Sequence, residues 1–438
     1  MGIDIGVSGR YGAKGLFARA APPDQFLTQV ADWFQQRHSS AICAMQSGPA
    51  PPGHALVVQL HPAGGEFEFH APAPGTVKLN VRTSTVGPGY HQFACEAIRS
   101  LGQALQITWD QPSEQFHDET GYLYNGDRAQ LEQHFLGWLQ KTCGMVGEME
   151  RRGETPMALG MAFDHVFRVA PDVATCLGPR SVEWLHAVGW NPRVGIEYFP
   201  WWEPGTGPGY LAGRALALMW TEIRWRPPID DGERRTVAEV LHLLGTAHRQ
   251  DPARELPWRE WLELHALAGA RDPLPGDLKT KAASATDRPL IGYRRASVTV
   301  MTSGGWQVTL PGSMAEGKAE DGHLIAWEPG RRFEVSTITV ETKDGSRPDG
   351  DQMLADMQDR TPSGAKRLAH RGEFGVGRAW FGPTSGEPGF HWRLQGLMAG
   401  TCTIAIATID LQSADQEAWA VQIWKSLEHH GTIETVTR

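Results

Sequence analysis

The chain has 438 residues, of which 41% are hydrophobic and 21% charged, and it carries a formal charge of −9; this is a globular composition, long enough for two or three cores. The negative charge is spread along the chain without a Lys/Arg run of five or more, which argues against a basic face for nucleic acid. No stretch approaches 18 uninterrupted apolar residues, and the opening MGIDIGVSGRYGAKG lacks a basic region followed by an apolar one, so no membrane insertion and a cytoplasmic location are expected.

The 17 tryptophans exceed ordinary usage and point to large aromatic anchors in cores or at an interface. Five cysteines (Cys43, Cys95, Cys143, Cys176 and Cys402) are odd in number, far apart and never in a Cys-x-x-Cys pair. That spacing predicts neither a disulfide framework nor a metal site, and it suits a reducing compartment. No cofactor is expected.

In chain order, the first predicted element is a helix over residues 24–36, with Phe26, Val30, Trp33 and Phe34 on one face and Asp24 as N-cap. Short alternating runs at 54–61, 65–70 and 76–81, separated by Pro and Gly, predict adjacent strands. GPGY at 87–90 then leads into a helix with Ala94, Ile98, Leu101 and Leu105 on one face, closed by a strand-like run at 107–109.

GPGY recurs at 207–210, again before an Ala/Leu-rich helix and an Ile-x-Trp close, here Ile223 and Trp225. A strand-like run precedes each turn, 76–81 in the first case and 194–199 in the second. An amphipathic helix follows each, carrying Leu131, Phe135, Trp138 and Leu139 in the first and Val237, Val240, Leu241 and Leu244 in the second. The match predicts an internal duplication: two related α+β units, residues 1–150 and 151–270.

Two readings stand for the GPGY turns. A Gly-Pro-Gly turn ahead of a helix leaves N–H groups free for an anion, which would involve Gly87, Gly89, Tyr90, Gly207 and Gly209. With no neighbouring Lys-Ser/Thr pair and no GxGxxG continuation, the favoured reading is a tight strand-to-helix turn. Two readings also stand for the aromatic loop at 199–210. Trp201, Trp202, Glu203 and Tyr210 form a partner-binding patch, or the tryptophans pack beneath the loop.

A polar, Pro/Gly-containing stretch at 271–287 predicts a linker. Beyond it, residues 288–438 predict an antiparallel sheet from runs at 294–302, 305–312, 323–330 and 332–342, then a helix over 349–360. Strands are expected over 367–383, 390–400 and 401–409, with Ile404 and Ile406 on one face and Ala405 and Ala407 on the other. A closing helix over 413–429 carries Ala420, Ile423, Trp424 and Leu427, with Ser413 as N-cap.

The Gly305-Trp306 to Leu310-Pro311 opening and the Asp410…Trp424-x-Ser426-Leu427 close, with the sheet and helices between them, resemble the PsbP/DcrB-like fold. That group includes extrinsic photosystem proteins and the Eag-type chaperones of type VI secretion. The resemblance implies an α/β/α sandwich and an adaptor or chaperone role, covers about 140 residues, and transfers no catalytic residue. The overall fold class expected is therefore α+β.

Enzymatic readings draw on weaker patterns. Asp321, Glu341 and Lys343 superficially match a metal-dependent nuclease, and His370 with Glu373 sits in a strand-and-turn context rather than on a helix face. The leading expectation is a cytosolic protein-binding protein, an immunity protein or effector chaperone whose partner is a toxin or secreted effector. The alternative is a hydrolase or nuclease with a cleft between the two N-terminal units. Oligomeric state is not legible in the residues.

Overall fold

The computed structural model describes residues 2–12, 19–152, 158–161, 164–270, 275–285, 289–319, 322–340, 347–385 and 388–430. Asp321, Glu341 and Lys343 lie outside the described residues. The chain divides into two compact units. The first comprises Met1–Ala162, Val169–Ile223 and Asp230–Ile291; the second comprises Phe163–Arg168, Arg224–Ile229 and Gly292–Arg438. Residues 1–150 and 151–270, expected as separate domains, thus both contribute to the first unit.

The first unit holds strands β1 (Asp4–Arg10), β2 (Ala44–Pro49), β3 (His54–His61), β4 (Gly64–Ala71), β5 (Thr76–Arg82) and β6 (Thr108–Trp109). They form one sheet in the order β2-β3-β4-β5-β1-β6. Strict alternation makes one face apolar: Leu56 pairs with Phe69, Val58 with Phe67, and Phe69 with Leu79. Helix α1 (Pro23–His38) closes that face with Phe26, Leu27, Val30, Trp33 and Phe34, all buried. Its N-cap is Pro22 rather than Asp24, which sits in the first turn, where the helix dipole favours a carboxylate.

The remaining α-helices among the described residues of this unit are α2 (Pro88–Ala104), α3 (Tyr122–Asn125), α4 (Arg128–Arg151), α5 (Val182–Trp190), α6 (Pro208–Thr221), α7 (Asp231–Gln250), α8 (Trp258–Leu267) and α9 (Leu278–Ser284). Both GPGY turns start helices with Pro in the first turn, α2 and α6. The runs ahead of them differ. Residues 76–81 lie in β5, whereas the expected strand at 194–199 is mostly a 3-10 helix, Pro192–Tyr198. Asn191 decides this, because its side chain accepts from Arg193 N and caps a helical turn that Pro192 pre-sets. The stretch expected as a linker contains α9, whose Leu278 and Ala282 are buried.

The second unit contains β7 (His165–Val166), β8 (Ser297–Met301), β9 (Trp306–Pro311), β10 (Ala315–Lys318), β11 (Leu324–Glu328), β12 (Arg331–Thr339), α10 (Gly350–Asp356), β13 (Lys366–Gly372), β14 (Gly375–Pro383), β15 (Trp392–Gly400), β16 (Thr403–Leu411), α11 (Glu417–Lys425) and β17 (Glu428–His429). Its strands form two sheets: a seven-stranded one in the order β10-β11-β12-β16-β15-β14-β13, and a four-stranded one in the order β17-β9-β8-β7. All strand pairs in both are antiparallel. The closing helix is shorter than expected, ending at Lys425, and Ser413 begins a 3-10 turn without a side-chain cap bond.

Trp424 of α11 is fully buried against Gly377 and Gly396 of the seven-stranded sheet. A Cβ on Gly396 would stand 2.4 Å from the Trp424 indole nitrogen, so the glycine is a packing requirement of the ring above it. Ser426 then fastens the helix end to β9, its hydroxyl accepting from Thr309 N at 3.1 Å. On the opposite face, α10 places Met353 on Ala399 and Ile404.

Candidate functional site

The structure gathers the two GPGY motifs within the first unit. Gly89 N donates to Trp201 O and Trp201 N donates to Val86 O, each at 3.0 Å. The close approach explains the glycines of the first turn: a Cβ on Gly89 would come within 2.4 Å of the Trp201 ring, and Gly87 holds φ at +120°. In this turn the donor that an anion would use is spent on a backbone carbonyl. The second turn, Gly207 to Gly209, is half-buried, beside Arg254.

Trp201 is 2% exposed and lies between the two motif tyrosines, its ring centroid 5.7 Å from Tyr90 and 4.1 Å from Tyr210. Of the four residues expected to face a partner, Trp201 and Tyr210 are therefore core residues; Trp202 is half-buried and Glu203 exposed. Against the same aromatic group lies His61, fully buried, whose Nδ1 accepts from Ala63 N at 3.1 Å. Burial, followed by the nearby Arg214 guanidinium, pushes His61 well below the usual imidazole range, so the ring is neutral.

Arg214, one turn after Tyr210 on α6, is 1% exposed. It donates from Nη1 to Leu60 O at 2.8 Å and Ala41 O at 3.1 Å, and from Nε to Glu239 at 2.8 Å. One guanidinium thereby ties α6, the end of β3 and α7 together. This region is a packed joint whose chemistry is that of a fold, and the structure offers a more open site elsewhere.

That site is on the second unit. Register places Arg378, Leu397 and Ile406 in one row across β14, β15 and β16, and Trp380, Gln395 and Thr408 in the next. These side chains share the face that α10 covers only at one end, because the helix is two turns long. What remains uncovered is a cleft of about 700 Å³ between the sheet and the segment Met357–Thr361, lined also by Arg360, Arg367 and Leu368. Arg367 pairs with Asp359 at 3.2 Å, and Arg378 donates to the carbonyl of Met357. The result is an apolar floor with a cationic rim. Sequence reasoning did not single out these residues. The available signal was that β16 is apolar on both faces, Ile404 and Ile406 on one and Ala405 and Ala407 on the other, more apolar surface than one covering helix needs. His370 and Glu373, weighed as a metal pair, lie at the end of the β13–β14 hairpin.

A buried ionic cluster also belongs to the second unit. Glu316 accepts from His165 Nε2 and from Arg294 Nη1, both at 2.6 Å, with Arg224 at 3.9 Å. Burial opposes the charge on His165, but its bonds to Asp164 and Glu316 outweigh it and raise the ring to about 9. Burial likewise opposes ionisation of Glu316, and His165, Arg294 and Arg224 together bring it down to about 2. A raised histidine contributes stability in full below its unfolded value, about 6.5, and loses it as pH rises through about 9. A lowered carboxyl contributes above about 4.5 and loses it as pH falls towards about 2. The melting temperature of the wild type should therefore fall relative to His165→Gln between pH 6.5 and 9.5, a difference that thermal melts at matched pH values will measure.

Compared with known proteins, the chain matches no family model and no curated protein. No helix among the described residues is long and apolar enough to cross a membrane.

Proposed function

We propose that this protein is a binding protein of the immunity or effector-chaperone kind, which takes a segment of a partner protein into the cleft on the second unit. The observation that carries this reading is the cleft itself: an apolar sheet face of about 700 Å³ left uncovered by α10 and rimmed by Arg360, Arg367 and Arg378. An uncovered apolar face with a half-buried tryptophan is the material of interface hot spots. Its rim selects for charge, so the preferred segment is apolar with flanking carboxylates. The resemblance of residues 288–438 to PsbP/DcrB-like adaptors agrees with such a role, as does the acidic, cytosol-suited chain.

The test places a photo-crosslinking amino acid at Gln395 and recovers complexes from the native host. Crosslinks should map to one segment of one stoichiometric partner. Trp380→Ala should then weaken that partner about 30-fold, the effect of losing a hot-spot residue worth about 2 kcal/mol, with an unchanged melting temperature. Unchanged affinity in Trp380→Ala, or crosslinks scattered over many proteins, would remove the cleft from consideration.

A further inference from the structure

The first unit contains a second constellation, remote in sequence and fully enclosed. His91 and Cys95 lie one turn apart on the same face of α2, and Asp118 comes from the segment after β6, which docks on β1 through Gly6 N to His117 O at 2.9 Å. All three are buried, and one ligand-capable atom from each lies within 4.8 Å of the others.

Two hydrogen-bond arrangements satisfy this cluster. Thr83 Oγ1 lies 2.8 Å from His91 Nδ1 and 3.1 Å from Ile3 O, which also accepts from Thr83 N at 2.9 Å. In one arrangement the hydroxyl donates to Nδ1, and Nε2–H donates to Asp118 Oδ1 at 3.1 Å. In the other the hydroxyl donates to Ile3 O and accepts from Nδ1–H, which leaves Nε2 bare, 3.1 Å from Asp118 Oδ1 and 3.1 Å from Thr120 Oγ1. The Thr120 hydroxyl donates to Asp118 Oδ1 at 2.8 Å, and Thr120 N at 2.8 Å and Leu123 N at 2.6 Å hold Asp118 as a carboxylate. In the second arrangement a nitrogen lone pair, a carboxylate oxygen and the Cys95 sulfur converge in a dry pocket, the donor set that a cation between them would complete.

From this convergence we infer that His91 Nε2, Cys95 Sγ and Asp118 Oδ1 form a structural zinc site, with Thr120 Oγ1 beside the fourth position. Zinc bonds of roughly 2.0–2.3 Å arranged tetrahedrally put neighbouring ligand atoms about 3.3–3.6 Å apart, close to the 3.1 Å between His91 Nε2 and Asp118 Oδ1. The mixed nitrogen, sulfur and oxygen set suits zinc among the abundant divalent ions. The ligands have the outer support such sites use: with Nε2 on the metal, Nδ1–H would donate to Thr83 Oγ1, whose hydroxyl can pass its own hydrogen to Ile3 O, and backbone N–H groups orient the carboxylate. Binding displaces the Cys95 proton, so the thiolate forms only with the metal. The site departs from the expectation of no metal, and its closure inside the core assigns it to stability: it clips the segment around Asp118 onto α2.

The test uses the untagged full-length protein, refolded or expressed with zinc present and then passed through gel filtration. Elemental analysis should find one zinc per chain, and replacement by cobalt should give thiolate-to-cobalt charge transfer in the near ultraviolet. Cys95→Ser, close to isosteric, should lose both signals, and a strong chelator should lower the melting temperature of the wild type but not of Cys95→Ser. If the folded wild type carries no zinc after exposure to it, the inference is wrong and the cluster is a hydrogen-bonded His91–Asp118 pair beside a buried thiol. Zinc retained undiminished by both Cys95→Ser and Asp118→Asn would overturn it equally, and wild-type metal content decides the matter even where a variant fails to fold.

Discussion

Trp201→Ala is expected to lose about 3–5 kcal/mol of stability, the usual cost of removing a large aromatic from a core that cannot collapse around the space, while Trp202→Ala should lose less than about 1 kcal/mol. The neighbouring residues set this contrast. Trp201 is 2% exposed and touches Tyr90, Phe93 and Tyr210, and its backbone joins the first GPGY turn in both directions. Trp202 is half-buried, with its ring on Phe199. Urea titration followed by far-ultraviolet circular dichroism will separate the two without depending on tryptophan emission. Equal midpoints for both variants would mean that the loop, rather than the core, holds Trp201.

Arg214→Ala should cost a similar amount, about 3–5 kcal/mol, for a different reason. The side chain is 1% exposed and satisfies Ala41 O and Leu60 O while pairing with Glu239. Its removal strands the buried Leu60 carbonyl and the part-buried Ala41 carbonyl, and leaves the Glu239 carboxylate without its cation. Arg214→Lys should recover only part of the loss, because a single ammonium cannot span three elements as the planar guanidinium does. Thermal melts of both variants beside Arg214→Ala/Glu239→Ala will show how much of the cost is the stranded carboxylate: the double variant should be less destabilised than the sum of the single ones.

Much of the secondary structure was legible from periodicity. The runs at 54–61, 65–70 and 76–81 became β3, β4 and β5 almost residue for residue, and α1, α2 and α4 buried the predicted faces. β1 was missed because its apolar residues are only two, Ile5 and Val7, set among Gly6, Ser8 and Gly9, and the strand gains its identity from pairing with β5. Residues 194–199 were misread because two alternating apolar residues mimic a strand, while the deciding signal, Asn191-Pro192, lies just upstream. The second unit's sheet was expected as one and formed as two, since β8 and β9 pair with β7 and β17 instead of with the larger sheet.

The candidate sites were less legible, and the reason is distance along the chain. The cleft arises where register aligns Arg378, Leu397 and Ile406 across three strands, and no single strand shows that row. Composition and period, properties of neighbouring residues, determined by themselves that the chain is α+β, that α2 and α6 start at Gly-Pro, and which face of most elements is apolar. Tertiary structure alone decided that Arg214 reaches Ala41, 173 positions away, that both GPGY tyrosines flank Trp201, and that Asp118 meets His91 and Cys95. Those contacts are chosen by how faces pack and how strands align, and local pattern constrains which faces are buried without saying which residues will meet.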